Sequence, residues 1–175
     1  ISKARHTIDT KQYLMDHRNG FGALQRSIER HGTRVRILHD ARMYRESSCV
    51  QENDRLRELA EALYTMGRSS HLEFRTYSPP DGDRRCQDTK TWLIDDSYYI
   101  GGSANFTGAS EGYLEENLFT RAAGVLADAR AAFESAWKKG PPIPLQELFM
   151  LESRRSAPRP RSQSRPAAAS SSGAA

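Results

Sequence analysis

Lys90, Ser103 and Asn105 are the residues of this chain whose types and spacing suit a phosphate group. They lie in the stretch 88–107, DTKTWLIDDSYYIGGSANFT. Lys90 supplies a cation, and Gly102-Ser103-Ala104-Asn105 supplies a hydroxyl and an amide on a small-residue turn. Between them Trp92, Leu93 and Ile94, then Tyr98, Tyr99 and Ile100, have strand-like apolar density, so the stretch predicts a buried hairpin that presents Lys90, Ser103 and Asn105 at one end. A cation flanked by neutral donors complements a phosphate oxyanion. Asp88 breaks the pattern. It stands two places before Lys90, on the same face of a strand, and puts an anion where a phosphate would bind. Asp95 is expected to bond backbone N–H groups at the hairpin turn. Tyr98 and Tyr99 are expected in core or dimer packing rather than as a stacking platform.

The elements that must position this hairpin alternate between helix and strand. Residues 1–16 hold a short apolar alternation that predicts a first strand, and Gly20 and Gly22 read as breaks. Spacing over 23–31 predicts a helix ending at Gly32. Residues 33–40 (TRVRILHD) predict a half-buried strand, and 41–50 show no period and read as a loop. Asn53 is the expected N-cap of a helix through Met66, with Leu56, Leu59, Ala60, Leu63 and Tyr64 as its apolar stripe. Residues 72–77 predict a strand, 78–85 a Pro-Pro and Asp-Gly turn, 114–120 another strand, and 122–138 a helix with Val125, Leu126, Ala129, Phe133 and Trp137 on one side. Residues 143–151 are expected to add a short helix or packing segment. The pattern is that of an α/β layered domain.

The chain has 175 residues, enough for one domain with a real core. It carries 26 basic and 22 acidic residues, but the excess is local. From Glu152 onward there are five arginines and one acid, leaving 21 of each sign in the first 151 residues. The pI of about 9.2 therefore belongs to the tail and gives the domain no basic face. The expected division is a domain over 1–151 and an extended tail over 152–175, rich in Arg, Pro, Ser and Ala. Such a composition cannot bury enough apolar surface to offset its chain entropy. Arg154, Arg155, Arg159, Arg161 and Arg165 are placed to follow an RNA backbone or an acidic surface, without aromatic residues for stacking. Cys49 and Cys86 have no partners at metal spacing and read as free thiols. No metal or other cofactor is expected, and no window is apolar enough to span a membrane.

The stretch from Asp88 to Asn105 resembles the signature of the phospholipase D superfamily, His-x-Lys-x4-Asp-x6-Gly-Ser-x-Asn, with spacing intact and Asp88 in the histidine position. The likeness covers roughly residues 5 to 140, with Glu115, Glu116 and Asn117 where the family carries an acidic residue. It is nearest to the small single-motif members, Nuc-type endonucleases and mitochondrial cardiolipin hydrolase. The resemblance implies a layered domain with a mixed sheet flanked by helices and one motif copy. It also implies a two-step phosphodiester reaction in which the motif histidine attacks phosphorus and a second histidine protonates the leaving group. Lys90, Ser103 and Asn105 would hold the phosphate oxygens, Asp95 would stand among the catalytic positions, and Glu115 or Glu116 would be an accessory acid. Single-motif chains of this family are implied to dimerise.

At position 88 the resemblance and the chemistry part. An unperturbed carboxylate neither attacks phosphorus readily nor donates a proton at pH 7 as an imidazole can. Its expected partner is Lys90, which would neutralise the phosphate site. Among His6, His17, His31, His39 and His71, His39 is the expected neighbour of the site, as a substitute for the missing imidazole or as a strand-end residue. The leading expectation is a degenerate, catalytically inactive domain serving as a structural or accessory subunit of a larger, possibly organellar assembly. A mitochondrial or other organellar location is favoured by the resemblance and by the opening at Ile1. The alternatives are an active phosphodiesterase, on cardiolipin or nucleic acid, working as a dimer, and an RNA-binding accessory protein acting through the tail.

Overall fold

The computed structural model describes residues 1–45, 53–78 and 88–148. Seven strands form one mixed sheet in the order β6-β5-β4-β1-β2-β3-β7. The centre is parallel: β1 (Thr7–Gln12), β2 (Arg34–Asp40) and β3 (Leu72–Tyr77) run the same way. The rest is antiparallel. β4 (Lys90–Ile94) pairs with β1, β5 (Tyr98–Gly102) with β4, β6 (Asn117–Thr120) with β5, and the short β7 (Pro142–Ile143) with β3. Helices cover both faces, as the layered expectation required.

One face carries the larger core. Ile8, Val35, Ile37, Leu72, Phe74, Trp92 and Ile94 point to helices α1 (Arg18–His31) and α3 (Asp54–Thr65), whose Leu24, Ile28, Leu56, Leu59 and Leu63 are buried against them. On the opposite face lies α4 (Ala123–Lys139), which seats Phe133 and Trp137 on Leu38 and Leu93. Arg36 crosses that second interface. Its guanidinium binds both carboxylate oxygens of Asp9 at 2.7 Å and Glu134 at 2.6 Å, and lies over the Phe133 ring. A bidentate pair of this kind satisfies the charges that the sheet buries.

Several boundaries differ from the sequence expectation, each for a local reason. α1 begins at Arg18 and runs through Gly20 and Gly22, which do not break it. His17 caps it, its Nδ1 accepting from the Gly20 N–H at 2.9 Å. Gly20 is required there because a Cβ would drive into the Phe106 ring. Residues 41–45 form a helical turn, α2 (Ala41–Arg45), where a loop was expected. The buried Asp40 carboxylate holds it by accepting from the N–H groups of Arg42 (2.9 Å) and Met43 (3.1 Å). Asn53 stands at the N-cap of α3, but its side chain makes no cap bond; its Nδ2 donates to the Met43 carbonyl instead. Tyr64 is half exposed and leaves the apolar stripe. The strand expected over 114–120 begins only at Asn117, with Leu114 fully exposed. The turn at 78–85, both cysteines and the arginine tail fall wholly or largely outside the described residues.

Candidate phosphate site

The β4–β5 hairpin folds as its sequence predicts, in the register Lys90↔Gly102 to Ile94↔Tyr98. Its two ends have different work. The closed end is a three-residue loop, Asp95-Asp96-Ser97, in which Asp95 (φ 51°) and Asp96 (φ 54°) both take the left-handed conformation, and the Ser97 N–H returns to the Ile94 carbonyl at 3.0 Å. Paired positive φ values are those of a type I′ turn, whose twist matches a hairpin. The open end brings Lys90, at the start of β4, beside Ser103 and Asn105, which follow β5.

Ser103 is held by the segment that enters β6. Its N–H donates to the Glu116 carbonyl at 3.0 Å, and its Oγ accepts from the Glu116 N–H at 3.1 Å while donating to the Glu115 carboxylate. Gly102 makes this approach possible. A Cβ there would press into the Glu116 carbonyl oxygen and lie 2.7 Å from the Asn117 Cα. Gly102→Ala is therefore expected to push β6 off β5 and cost about 1–3 kcal/mol, as overpacking does. A urea-unfolding midpoint checks this value.

Lys90 and Asn105 line one cavity of about 210 Å³, walled by Trp92, Ile100, Ala104, Phe106 and Asn117 and reached by Ile1. One water occupies roughly 30 Å³ of liquid, so the space takes a group larger than a single water. Trp92 and Phe106 meet edge to face, with centroids 4.7 Å apart. The Asn105 Oδ1 is buried without a hydrogen-bond partner. Lys90 and Ser103, of which only Lys90 lines this cavity, are both engaged by acids. The Lys90 ammonium donates to Asp88 Oδ1, and its side chain is mostly buried while that of Asp88 is 60% exposed. Ser103 donates to Glu115, as above. Lys90 also lies over the Tyr13 ring, 5.7 Å from its centroid.

Asp95 is not among these groups. It stands at the far end of β4, five residues or about 16 Å from Lys90. There it accepts from the N–H groups of Arg5 (2.8 Å), His6 (2.7 Å) and Thr7 (3.0 Å). Partial burial pushes its carboxyl up, but the bonds from Thr7, Arg5 and His6 outweigh this and hold it below the usual carboxylate value. Its backbone bonds thus go to the entry of β1 rather than to its own turn. Glu116 meets Ser103 through its backbone, Glu115 through its carboxylate.

The histidines have other partners. His39, expected beside the site, is 1% exposed and sits on β2, paired with Gln12 of β1. β1 separates β2 from β4, so about 10 Å of sheet lies between its strand and that of Lys90. Burial lowers its pKa to about 4, leaving it neutral at pH 7. His17 stacks on the outer side of Phe106 and binds Glu111 at 2.7 Å. His31 contacts Arg5, His71 bonds the Gly32 carbonyl, and the His6 backbone serves Asp95. Phe106 and Trp92 as cavity walls, and Asn117 opposite Gly102, were not foreseen as site residues. The signals for Asn117 were its place in an expected strand and its position beside Glu115 and Glu116, where the resemblance put an acidic residue. Among the described residues no group of three or more metal-binding side chains occurs, and no helix is long and apolar enough to cross a membrane.

Comparison with known proteins gives a consistent set. The family described as "Cardiolipin synthase, PLD-like domain" matches residues 1–137. No curated protein matches by sequence. Among solved structures, the phospholipase D family member Nuc from Salmonella typhimurium superposes with a TM-score of 0.62 at 19% identity, covering 81% of this chain and 84% of Nuc. NucT from Helicobacter pylori gives 0.61 at 19% identity, over 81% and 85%. Phosphatidylserine synthase from Haemophilus influenzae gives 0.63 at 16% identity, over 86% of this chain and 37% of the synthase.

Proposed function

Because this chain belongs to the phospholipase D superfamily, we propose that it keeps the family's phosphate cradle without its hydrolytic chemistry and serves as an accessory or structural domain. The observation that carries this reading is the double occupation of the cradle. Asp88, in the position of the attacking histidine, is paired with Lys90, and Glu115 takes the hydroxyl of Ser103. Two of the cradle's donors are thus held by carboxylates, and among the described residues no histidine contacts Lys90 or Ser103.

Phosphodiesterase assays test the proposal. With bis(p-nitrophenyl) phosphate, single-stranded DNA and cardiolipin vesicles, no turnover above background is expected. Turnover that disappears with Lys90→Ala would instead establish an active phosphodiesterase and overturn the reading.

An accessory role needs a contact surface, and β6 offers one. It is an edge strand, and Leu118 (56% exposed) and Phe119 (60%) are displayed on it, with Tyr113 and Leu114 beside them next to the acids of the cradle. An edge with open backbone groups and exposed apolar side chains is suited to pairing. We assign it to a second copy of this chain. Light scattering is expected to give a dimer that Leu118→Asp with Phe119→Asp converts to a monomer. We further propose that the chain divides at residue 151 into this domain and the arginine tail. Loss of salt-dependent RNA binding on truncation after Leu151 would assign the tail a role of its own.

A further inference from the structure

A second cationic recess lies on the α4 face of the sheet, away from the cavity of Lys90. It has a volume of about 390 Å³ and is lined by Lys11 from β1, Tyr77 at the end of β3, Thr89 before β4, and Ser135 and Lys139 from α4, over a floor of Ala132 and Ala136. Two lysines and three hydroxyl-bearing residues are thus among its lining. Among the described residues no carboxylate lines it. Among the described residues neither lysine has an ion pair, and Lys11 is half-buried in that state. Burial without a counter-charge disfavours an ammonium, and burial does lower the Lys11 pKa. A half-buried ammonium in a concave site favours an anion beside it.

We propose that this recess binds a soluble phosphorylated small molecule. Its phosphate would sit between Lys11 and Lys139 with Ser135 as a neutral donor, and its organic part would lie over Ala132, Ala136 and the Tyr77 ring. The number of donors favours a tetrahedral oxyanion with three free oxygens over a planar carboxylate. The volume exceeds what phosphate alone would fill, and ordinary ligand pockets begin near 300 Å³. This site uses none of the residues of the Lys90 cradle, so it stands whether or not the domain hydrolyses phosphodiesters.

The test is made in Lys90→Ala, which removes the cation of the other site. Calorimetric titration with pyrophosphate and with a nucleoside monophosphate is expected to show one site per chain. Adding Lys11→Gln and Lys139→Gln is expected to weaken it about tenfold or more, as removal of two close charges should. In the Lys90→Ala chain with both lysines present, the Lys11 ammonium signal in NMR is expected to shift on adding pyrophosphate, and its pKa to rise as the bound anion favours the charged form. Binding that is absent in Lys90→Ala, or unchanged by the two lysine substitutions, would overturn the proposal. So would a Lys11 signal that does not respond to the anion. Binding only to phosphatidic acid vesicles, with no soluble ester bound, would overturn it in favour of a lipid surface.

Discussion

Asp88→Asn combined with Glu115→Gln is expected to raise the affinity of the cradle for inorganic phosphate or vanadate about tenfold or more. In the native chain the ligand must displace Asp88 from Lys90 and Glu115 from Ser103, and then sit beside both negative charges. A charge pair at about 4 Å is worth roughly 1 kcal/mol in water and up to about 4 kcal/mol in the partly desolvated surroundings of a protein surface, and each 1.4 kcal/mol is a factor of ten. Lys90 is the more buried partner of its pair, so the first substitution should give the larger share. The amides can still turn an oxygen toward Lys90 and Ser103, so the cavity should keep its shape. Chemical-shift titration with phosphate, read at Asn105 and Ser103, measures the gain. Equal affinity in native and double-substituted chains would mean that the acids do not occupy the site in solution. Lys90→Ala in the double-substituted background should return the affinity to the native value or below.

The second large effect is on stability. Asp95→Ala is expected to lower the unfolding free energy by about 3 kcal/mol, since three N–H groups lose a charged acceptor and a residue with a Cβ is left at positive φ without the local bonding that suits Asp there. For a domain of this size that is a fall of roughly 6–12 °C in melting temperature. Asp95→Asn keeps a residue that tolerates the turn and one acceptor oxygen, so a smaller loss is expected. The same carboxylate makes stability depend on pH. Its folded pKa is below the ordinary value of 3.8, so the unfolded chain takes up the proton first. Its contribution is complete above that value and is lost as the pH falls through the folded pKa. The difference between native and Asp95→Asn chains should therefore shrink below about pH 4.

The parts of this molecule that were legible in the sequence were those set by local pattern. The hairpin of β4 and β5, the strand over Leu72–Tyr77 and the α4 helix followed from alternation or helical spacing. The place of Lys90 and Asn105 on one cavity followed from the hairpin register. What was hidden depended on partners distant in sequence. Gly20 looks like a breaker until Phe106, far along the chain, is seen against it. The short α2 helix depends on the Asp40 carboxylate more than on any apolar period. Asp95 looks like a turn residue of its own hairpin, but its acceptors serve Arg5, His6 and Thr7 at the other end of the chain. His39 looks like a strand-end histidine near the site, because the number of strands between it and Lys90 is a matter of topology.

The exposure of Asp88 has one more consequence. Among the described residues its side chain joins no core and caps no helix, and it bonds Lys90 alone. Folding is therefore nearly indifferent to what stands at position 88, and exchanges there should fall within the roughly 0.5 kcal/mol typical of open surface sites. On the proposed reading, the position that would carry the family's attacking residue is also one that the architecture leaves free to vary. Chemistry at this position can be lost, and by the same reasoning reinstalled, without the sheet registering the change.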